Sequence, residues 1–282
     1  MSISIEEALA AGASLQTVSD SWRLDVELLL AEVLGKSREH LYAWPSESLG
    51  TDQERNFRDL LDRRLAGEPV AYLLGRKAFW DFELQVDSRV LIPRPETECL
   101  VEQALQVGKA FSDASPRVAD LGTGSGAIAI ALARSNPLWL VTAVDISADA
   151  LELARLNAAQ LGAENIEFRE GSWCDGLEAD EYAMIVANPP YVAEGDRHLQ
   201  QGDLPFEPAI ALVASDSGLG DLSLIIQQSK LVLKKDAWLL LEHGFDQQDR
   251  LRTLLANEGF KNIVGHKDYA NTDRLVVAQW PG

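Results

Sequence analysis

Apolar positions along the chain follow two rhythms. Up to about residue 80 they recur at the three-to-four spacing of amphipathic helices. Phe57, Leu60, Leu61 and Leu65 form one such stripe, stopped by Gly67 and Pro69, and LDVELLLAEVLG at 24–35 forms another, ending at Gly35. Ser4-Ile5-Glu6-Glu7 and Thr51-Asp52-Gln53-Glu54 both fit the capping box, in which side chains at the two ends satisfy each other's backbone N–H. Residues 78–98, AFWDFELQVDSRVLIPRPETE, then mix aromatic and alternating positions and predict short strands or a hairpin. From Val101 onward the rhythm becomes strand, helix, strand. It predicts strands at 117–121, 140–144, 165–169, 183–187 and 237–242, with helices such as 148–161 and 220–234 between them. A late pair near 261–265 and 274–280 predicts antiparallel strands at the edge. Strands alternating with helices imply an α/β fold, a mostly parallel doubly wound sheet with helices on both faces. The expected organisation is a small helical bundle at 1–80 that serves contact, a linker or hairpin at 81–98, and the α/β domain at 99–282.

The first strand–helix turn carries the first candidate chemistry. VADLGTGSGAIAIALA (118–133) is an apolar strand, a glycine-rich turn and an apolar helix. Gly122, Gly124 and Gly126 permit positive φ and close backbone approach, and the following helix N-terminus favours negative ligand groups. Gly122-x-Gly124-x-x-Ala127 also fits the looser dinucleotide fingerprint. About 20 positions on, LVTAVDIS ends its strand in Asp145, an acceptor suited to both ribose hydroxyls of an adenosine. Ser147 is better placed than Asp145 to cap the next helix, which leaves the acid for a ligand. An adenosine-bearing cofactor follows, either a dinucleotide or S-adenosylmethionine.

The end of the fourth strand separates the two. In AMIVANPPYVAE (183–194) the apolar run stops at Asn188, followed by Pro189, Pro190 and Tyr191. In an open α/β sheet the ligand lies at the carboxyl ends of the strands, so Asn188 should face the cofactor site. The Asn188 side-chain oxygen and the Pro189 carbonyl are both acceptors, a matched pair for the two hydrogens of a planar –NH₂ group. Pro190 keeps the preceding backbone extended and that carbonyl aimed, and Tyr191 offers a face to pack on an amide or base. An amide or aromatic –NH₂ is a poor nucleophile because its lone pair is delocalised. Two acceptors draw density to nitrogen, orient the lone pair and stabilise the positive charge that grows there during in-line methyl transfer. No strong base is required before transfer. The pattern therefore predicts a Rossmann-like S-adenosylmethionine-dependent methyltransferase without a metal.

Composition narrows the substrate. At 282 residues, 46% hydrophobic and 24% charged, the chain has the make-up of an ordinary soluble protein, and no apolar run approaches a membrane span. The N-terminal MSISIEEALAAG has acids and no basic residue, unlike a signal or transit peptide, so the cytoplasm is expected. Cys99 and Cys174 make neither a disulfide framework nor a metal spacing and read as buried small hydrophobes. The formal net charge of −19 argues against a direct nucleic-acid partner, whose phosphates call for a basic face. It weighs against an adenine or guanine amino-group methyltransferase, which the same clamp would otherwise suit.

LIPRPETE (91–98), DLGTGSGAIAIALA (120–133), AVDIS (143–147), NPPY (188–191), QQGDLPFEP (200–208) and LLLEHG (239–244) together resemble the HemK/PrmC family, the methyltransferases of the release-factor glutamine. The resemblance implies methyl transfer from S-adenosylmethionine, releasing S-adenosylhomocysteine, to the side-chain amide nitrogen of the Gly-Gly-Gln glutamine of class I peptide chain release factors. It implies cofactor contacts at Gly122, Thr123, Gly124, Ser125, Gly126, Asp145, Trp173 and Asn188. It implies a substrate clamp of Asn188, Pro189, Pro190 and Tyr191, with Asn188, Pro189 and Tyr191 as the catalytic group. Trp173, in GSWCDG, is where an adenine would lie. A glutamine methyltransferase of a ribosomal protein would share the glycine loop and clamp; QQGDLPFEP and the short helical N-terminus favour release factors. A monomer without membrane attachment is expected. Arg94 and Glu98 read equally as active-site wall and as a helix start begun by Pro95, and His198 and His243 as structural or surface residues. In the loop from Glu194 to Asp221, Asp196, Asp203, Glu207 and Asp216 are expected to steer a basic partner surface.

Overall fold

The computed structural model describes residues 3–282, which divide into two compact units. One comprises the chain to Arg76 together with Gln200–Phe206, and the other Lys77–Leu199 with Glu207–Gly282. The first is built of helices α1 (Ile5–Ala11), α2 (Trp22–Leu34), α3 (Arg38–Ala43), α4 (Thr51–Leu65) and α5 (Val70–Leu74). Ile5, Leu15, Leu29, Leu30, Leu41 and Phe57 are buried together as its core. The box at Ser4 forms: the Glu7 N–H donates to Ser4 Oγ at 3.2 Å and the Ser4 N–H to Glu7 Oε2 at 2.8 Å. The box expected at Thr51 lies one residue earlier. Gly50 is the N-cap, its N–H donating to Gln53 Oε1 at 2.8 Å, and Thr51 is already helical. A return bond needs only an acceptor three residues on, and Gln53 supplies it from Gly50. α2 ends as expected at Gly35, whose φ of 61° is left-handed.

Arg64 organises this unit. It is 6% exposed; its Nε donates to Asp25 Oδ2 at 2.9 Å and its Nη1 to Asp203 Oδ1 at 3.0 Å and the Glu68 carbonyl at 3.1 Å. Buried guanidinium is tolerated only when its donors are met, and removing one partner of such a pair costs about 3–5 kcal/mol. The segment Gln200–Phe206 belongs to the helical unit through this contact.

The second unit begins with a hairpin, β1 (Arg76–Phe79, whose first residue is the last of the helical unit) and β2 (Phe82–Gln85), and continues through α6 (Glu98–Gly108) into β3 (Arg117–Leu121). Then follow α7 (Ala127–Ser135), β4 (Leu140–Asp145), α8 (Ala148–Leu161), β5 (Ile166–Glu170) and β6 (Tyr182–Ala187). Short strands β7 (Val192–Ala193) and β8 (Val213–Ala214) pair in parallel, and a turn α9 (Ser215–Gly218) leads to α10 (Gly220–Val232). β9 (Leu233–Glu242), α11 (Gln248–Asn257), β10 (Lys261–Lys267) and β11 (Asp273–Gln279) complete the chain.

Seven strands form one sheet in the order β10-β11-β9-β6-β3-β4-β5. The five strands from β9 to β5 run parallel, and β11 and β10 add the antiparallel edge. The central residues of β3, β4 and β6 are buried on both faces, which is why they read as largely apolar runs, whereas the edge strand β5 is only partly buried. β9 starts four residues before its apolar stretch, at Leu233, because Lys234-Lys235-Asp236 are strand residues with polar side chains. α10 accordingly ends at Val232 rather than 234.

Topology then places the site. The chain moves outward from β3 to β4 and β5, then returns to β6 on the other side of β3, leaving a crevice at the carboxyl ends where the order reverses. Leu121 is level with Val144 on one side and Ala187 on the other. Gly122, Asp145 and Asn188 therefore each stand one residue beyond an aligned triple. No helix among the described residues is long and apolar enough to cross a membrane.

Candidate active site

The glycine turn is held from two sides. The N–H groups of Gly122 and Thr123 donate to the Val144 carbonyl at 2.8 and 2.9 Å, and the Gly124 N–H donates to Asp145 Oδ2 at 2.8 Å. Asp145 Oδ1 accepts the Ser147 N–H at 2.9 Å. Each carboxylate oxygen has a second lone pair, so the acid orders the turn and still has acceptor capacity toward the crevice. Ser147, not Asp145, caps α8, its side chain accepting from the Ala150 N–H at 3.2 Å. Burial is the largest influence on Asp145 and raises its pKa; the backbone donors pull the other way.

A cavity of about 310 Å³ opens beside this turn. Gly122, Gly124, Asp145, Trp173, Asn188 and Pro190 line it, so strands β3, β4 and β6 and the loop after β5 converge there. Ile146, Arg89 and Asp221 line it too, three residues the sequence reading did not single out. Trp173 has a left-handed φ of 52°, and Asp221, whose pKa burial raises, lines the same cavity. A Cβ on Gly122, itself at φ +73°, would stand 3.2 Å from Trp173 Cζ3, so the glycine lets the indole close over the turn. Trp173 also packs on the sheet core, combining the wall and core readings. Asn157, buried on α8, fixes the rest of the turn: its Nδ2 donates to the Ser125 carbonyl at 2.9 Å and to the Gln85 carbonyl of β2 at 3.0 Å.

The clamp residues separate in orientation. Asn188 and Pro190 line the cavity, whereas Pro189 is buried and the hydroxyl of Tyr191 is turned to Glu242 Oε1 at 3.4 Å. Asn188 Nδ2 donates to Thr97 Oγ1 at 3.0 Å. The Tyr191 carbonyl accepts from Gln247 Nε2 at 3.0 Å. Gly218, at φ +84°, makes room for that latch, since a Cβ there would fall 2.3 Å from the Tyr191 oxygen and 2.4 Å from Gln247 Nε2. Arg94 pairs with Glu207, and Glu98 accepts the Trp80 N–H at 3.0 Å. Both residues of the LIPRPETE stretch thus make structural bonds, and Thr97 between them is the one that meets the clamp.

The four acids expected to steer a partner are not a free acidic face. Asp196 pairs with His198 at 2.7 Å, Asp203 with Arg64, and the Glu207 side chain is fully buried against Arg94. Of the four, Glu207 is buried against Arg94 and Asp203 is paired with Arg64, which leaves Asp196 and Asp216 as the acids of this loop without a cationic Lys or Arg partner among the ion pairs described. His243 is fully buried, its pKa lowered by burial, and both cysteines are buried.

Two carboxyls under the site are pushed up to about 7, Asp120 and Glu242, in both cases first by burial. Asp120 Oδ2 accepts Thr123 Oγ1 at 2.7 Å and the Ala129 N–H at 3.1 Å, tying β3 to α7. A raised folded pKa means the native state binds more protons than the unfolded chain. That contribution to stability is complete below the ordinary carboxyl range and is lost as pH rises toward 7. Asp120→Asn removes this titration. In urea unfolding at pH 5 and pH 7, its stability relative to wild type should improve by about 2 kcal/mol over that interval. An offset equal at both pH values would refute the assignment.

Comparison with known proteins agrees with this geometry. Residues 7–75 match the family model "PrmC N-terminal domain", and residues 97–257 match "Methyltransferase small domain". The release factor glutamine methyltransferase of Coxiella burnetii is 45% identical over 278 residues, spanning 98% of this chain and 99% of that protein. Its counterpart from Escherichia coli is 43% identical over 262 residues, 93% of this chain and 94% of that one. The crystal structure of a methyltransferase from Pyrococcus furiosus superposes with a TM-score of 0.51 at 15% identity, covering 80% of this chain and 98% of its own, a likeness of fold. A glycine turn, a strand-end acid and an Asn-Pro-Pro-Tyr exit converge on one crevice, and relatives match over nearly their whole length; the chain belongs to the release factor glutamine methyltransferase family.

Proposed function

We propose that this protein transfers a methyl group from S-adenosylmethionine to the side-chain amide nitrogen of the glutamine in the Gly-Gly-Gln loop of class I peptide chain release factors. The observation that carries the reading is the state of Asn188. Its amide N–H is taken by Thr97, and the residue lines the same cavity as the glycine turn and Asp145. The amide oxygen is thereby left as an acceptor at the point where a cofactor and an acceptor amide would meet.

The residues fit the cofactor. Asp145 retains acceptor capacity for ribose hydroxyls, the Gly124 position is open where a side chain would intrude, and Trp173 offers an aromatic wall to adenine. When bound, S-adenosylmethionine supplies a methyl group on a positively charged sulfur, an electrophile that needs no metal. The chain's own work is positional. Asn188 Oδ1 and the Pro189 carbonyl accept the two hydrogens of the glutamine –NH₂, hold its nitrogen toward the methyl donor and balance the charge growing on it. Pro190 stiffens the exit so that the carbonyl keeps its aim. After transfer the nitrogen is strongly acidic and yields its proton to water. The protein acts in the cytoplasm as a monomer on a protein substrate and makes no direct contact with nucleic acid. The net charge of −19 supports that choice over a base-modifying reaction.

The test supplies methyl-labelled S-adenosylmethionine with three acceptors in parallel: intact class I release factor, the same factor with its loop glutamine changed to alanine, and duplex DNA with rRNA. Label on the intact factor alone is expected. Label on nucleic acid or on the alanine variant would overturn the substrate assignment.

A further inference from the structure

We propose that Thr97 and Glu242 are positioning residues for this methyl transfer, setting which end of the Asn188 amide faces the substrate. The inference rests on the acceptor-clamp reading of Asn188 and deepens it. A carboxamide is nearly symmetric in shape but opposite in hydrogen bonding at its two ends. If Asn188 turned its –NH₂ into the crevice, donor would meet donor and the glutamine nitrogen would be repelled. Something behind the residue must therefore define its orientation.

Thr97 does so first. It stands on the short turn Pro95–Thr97 before α6, is 4% exposed, and its Oγ1 accepts the Asn188 Nδ2–H at 3.0 Å. A hydroxyl has one hydrogen, and a hydroxyl that also donated to Asn188 would allow the reverse orientation. Glu242 removes that choice. It ends β9 next to β6, one residue beyond Leu241, which is level with Ala187, so it lies beside Asn188 in the sheet. Glu242 is 1% exposed; its Oε1 accepts the Tyr191 hydroxyl at 3.4 Å, and its Oε2 is buried with no hydrogen-bond partner, a free acceptor in the electrostatic neighbourhood of the Thr97 hydroxyl. An acceptor behind the threonine draws the hydroxyl hydrogen away from Asn188, and the relay Asn188 N–H to Thr97 O–H to Glu242 has one direction. The same acid holds Tyr191, so both polar members of the tetrapeptide are braced from behind the crevice. The charged groups that act on Glu242 are Arg274 of β11, which also pairs with Asp268 at 3.2 Å, and Glu96, which opposes it.

The experiment compares wild type, Thr97→Val, Thr97→Ser, Glu242→Gln and the Val/Gln double variant. It measures kcat on intact release factor and S-adenosylmethionine Kd by calorimetry. Glu242→Gln keeps shape but has one acceptor oxygen where the carboxylate has two, so with that oxygen on the Tyr191 hydroxyl its –NH₂ is left facing the threonine oxygen, which reverses the relay. Each of Val and Gln is expected to lower kcat by about 10–100-fold with Kd within about threefold, the scale of an ångström-sized misplacement or less. Thr97→Ser keeps the hydroxyl and should recover most of the rate. The double variant should be no worse than about twofold below the weaker single variant, because both act through one amide. Wild-type kcat in both single variants, or a Kd that falls apart alongside kcat, overturns the proposal. So does a serine variant as slow as the valine, including where valine disturbs folding. Failure of the clamp reading is separate, since there the wild-type enzyme itself would leave the release factor unlabelled.

Discussion

Asn188→Ala should lower kcat for release-factor methylation by about 10²–10³-fold while S-adenosylmethionine Kd changes by less than about tenfold. The magnitude follows from what the side chain contributes. A preorganised group aimed at charge that develops in the transition state is worth about 2.7–4 kcal/mol when deleted. In the proposed clamp Asn188 Oδ1 is such a group, held by the bond from Nδ2 to Thr97 at 3.0 Å, and its proposed partner acceptor is a backbone carbonyl that mutation of the side chain leaves in place. The remaining acceptor still binds one hydrogen, so activity falls steeply without vanishing. Asn188 also lines the cofactor cavity, hence the allowance for a modest Kd change. Single-turnover rates with saturating cofactor separate the two effects. A kcat within threefold of wild type would remove the clamp from the mechanism. A lost Kd with an intact single-turnover rate would make Asn188 a cofactor ligand only.

Much of this site was legible in the sequence because local chemistry wrote it. Parallel strands buried on both faces leave apolar runs, so β3, β4 and β6 could be found, and with them the strand-end residues Asp145 and Asn188. The glycine turn announces itself because no other residue takes those φ values cheaply. What was hidden depends on register between distant elements. Thr97 and Asn188 lie 91 positions apart, and their bond exists only because α6 packs where β6 ends. Glu242 is an acid ending an apolar strand, the same signal that flagged Asp145, but nothing local says that it faces inward under Tyr191. Tyr191 read as a platform for the substrate amide, and its hydroxyl is instead drawn to that acid. Arg64 was likewise unreadable. A guanidinium on an amphipathic helix normally faces solvent, and only the fold brings Asp25 and Asp203 to meet it. Charge read along the loop was misleading locally, since Asp203 and Glu207 are each paired with an arginine that lies far away in sequence.

Asp145→Ala should weaken S-adenosylmethionine binding by about 10²-fold or more, with S-adenosylhomocysteine affected to the same extent. The two should lose affinity together because, in the proposed mode, the acid meets the ribose that both share and the methyl group is remote from it. Hydrogen bonds to a charged partner are worth about 1.5–3 kcal/mol each, and every 1.4 kcal/mol is tenfold in affinity, so two ribose bonds account for the estimate. The loss is compounded by the turn. With the carboxylate gone, the N–H groups of Gly124 and Ser147 lose their acceptor, and the backbone that should approach the cofactor closely is no longer ordered in advance. Asp145→Asn is not a mild replacement, because its –NH₂ must face one of those two N–H donors. It should fall nearer to alanine than to wild type. Burial raises the Asp145 pKa, so affinity should also decline on acidification earlier than an ordinary carboxylate would cause, as protonation removes acceptor capacity. Calorimetric titration of both ligands across pH measures all of this. A Kd within threefold of wild type for Asp145→Ala would place the ribose elsewhere and leave Asp145 as a brace for the glycine turn alone.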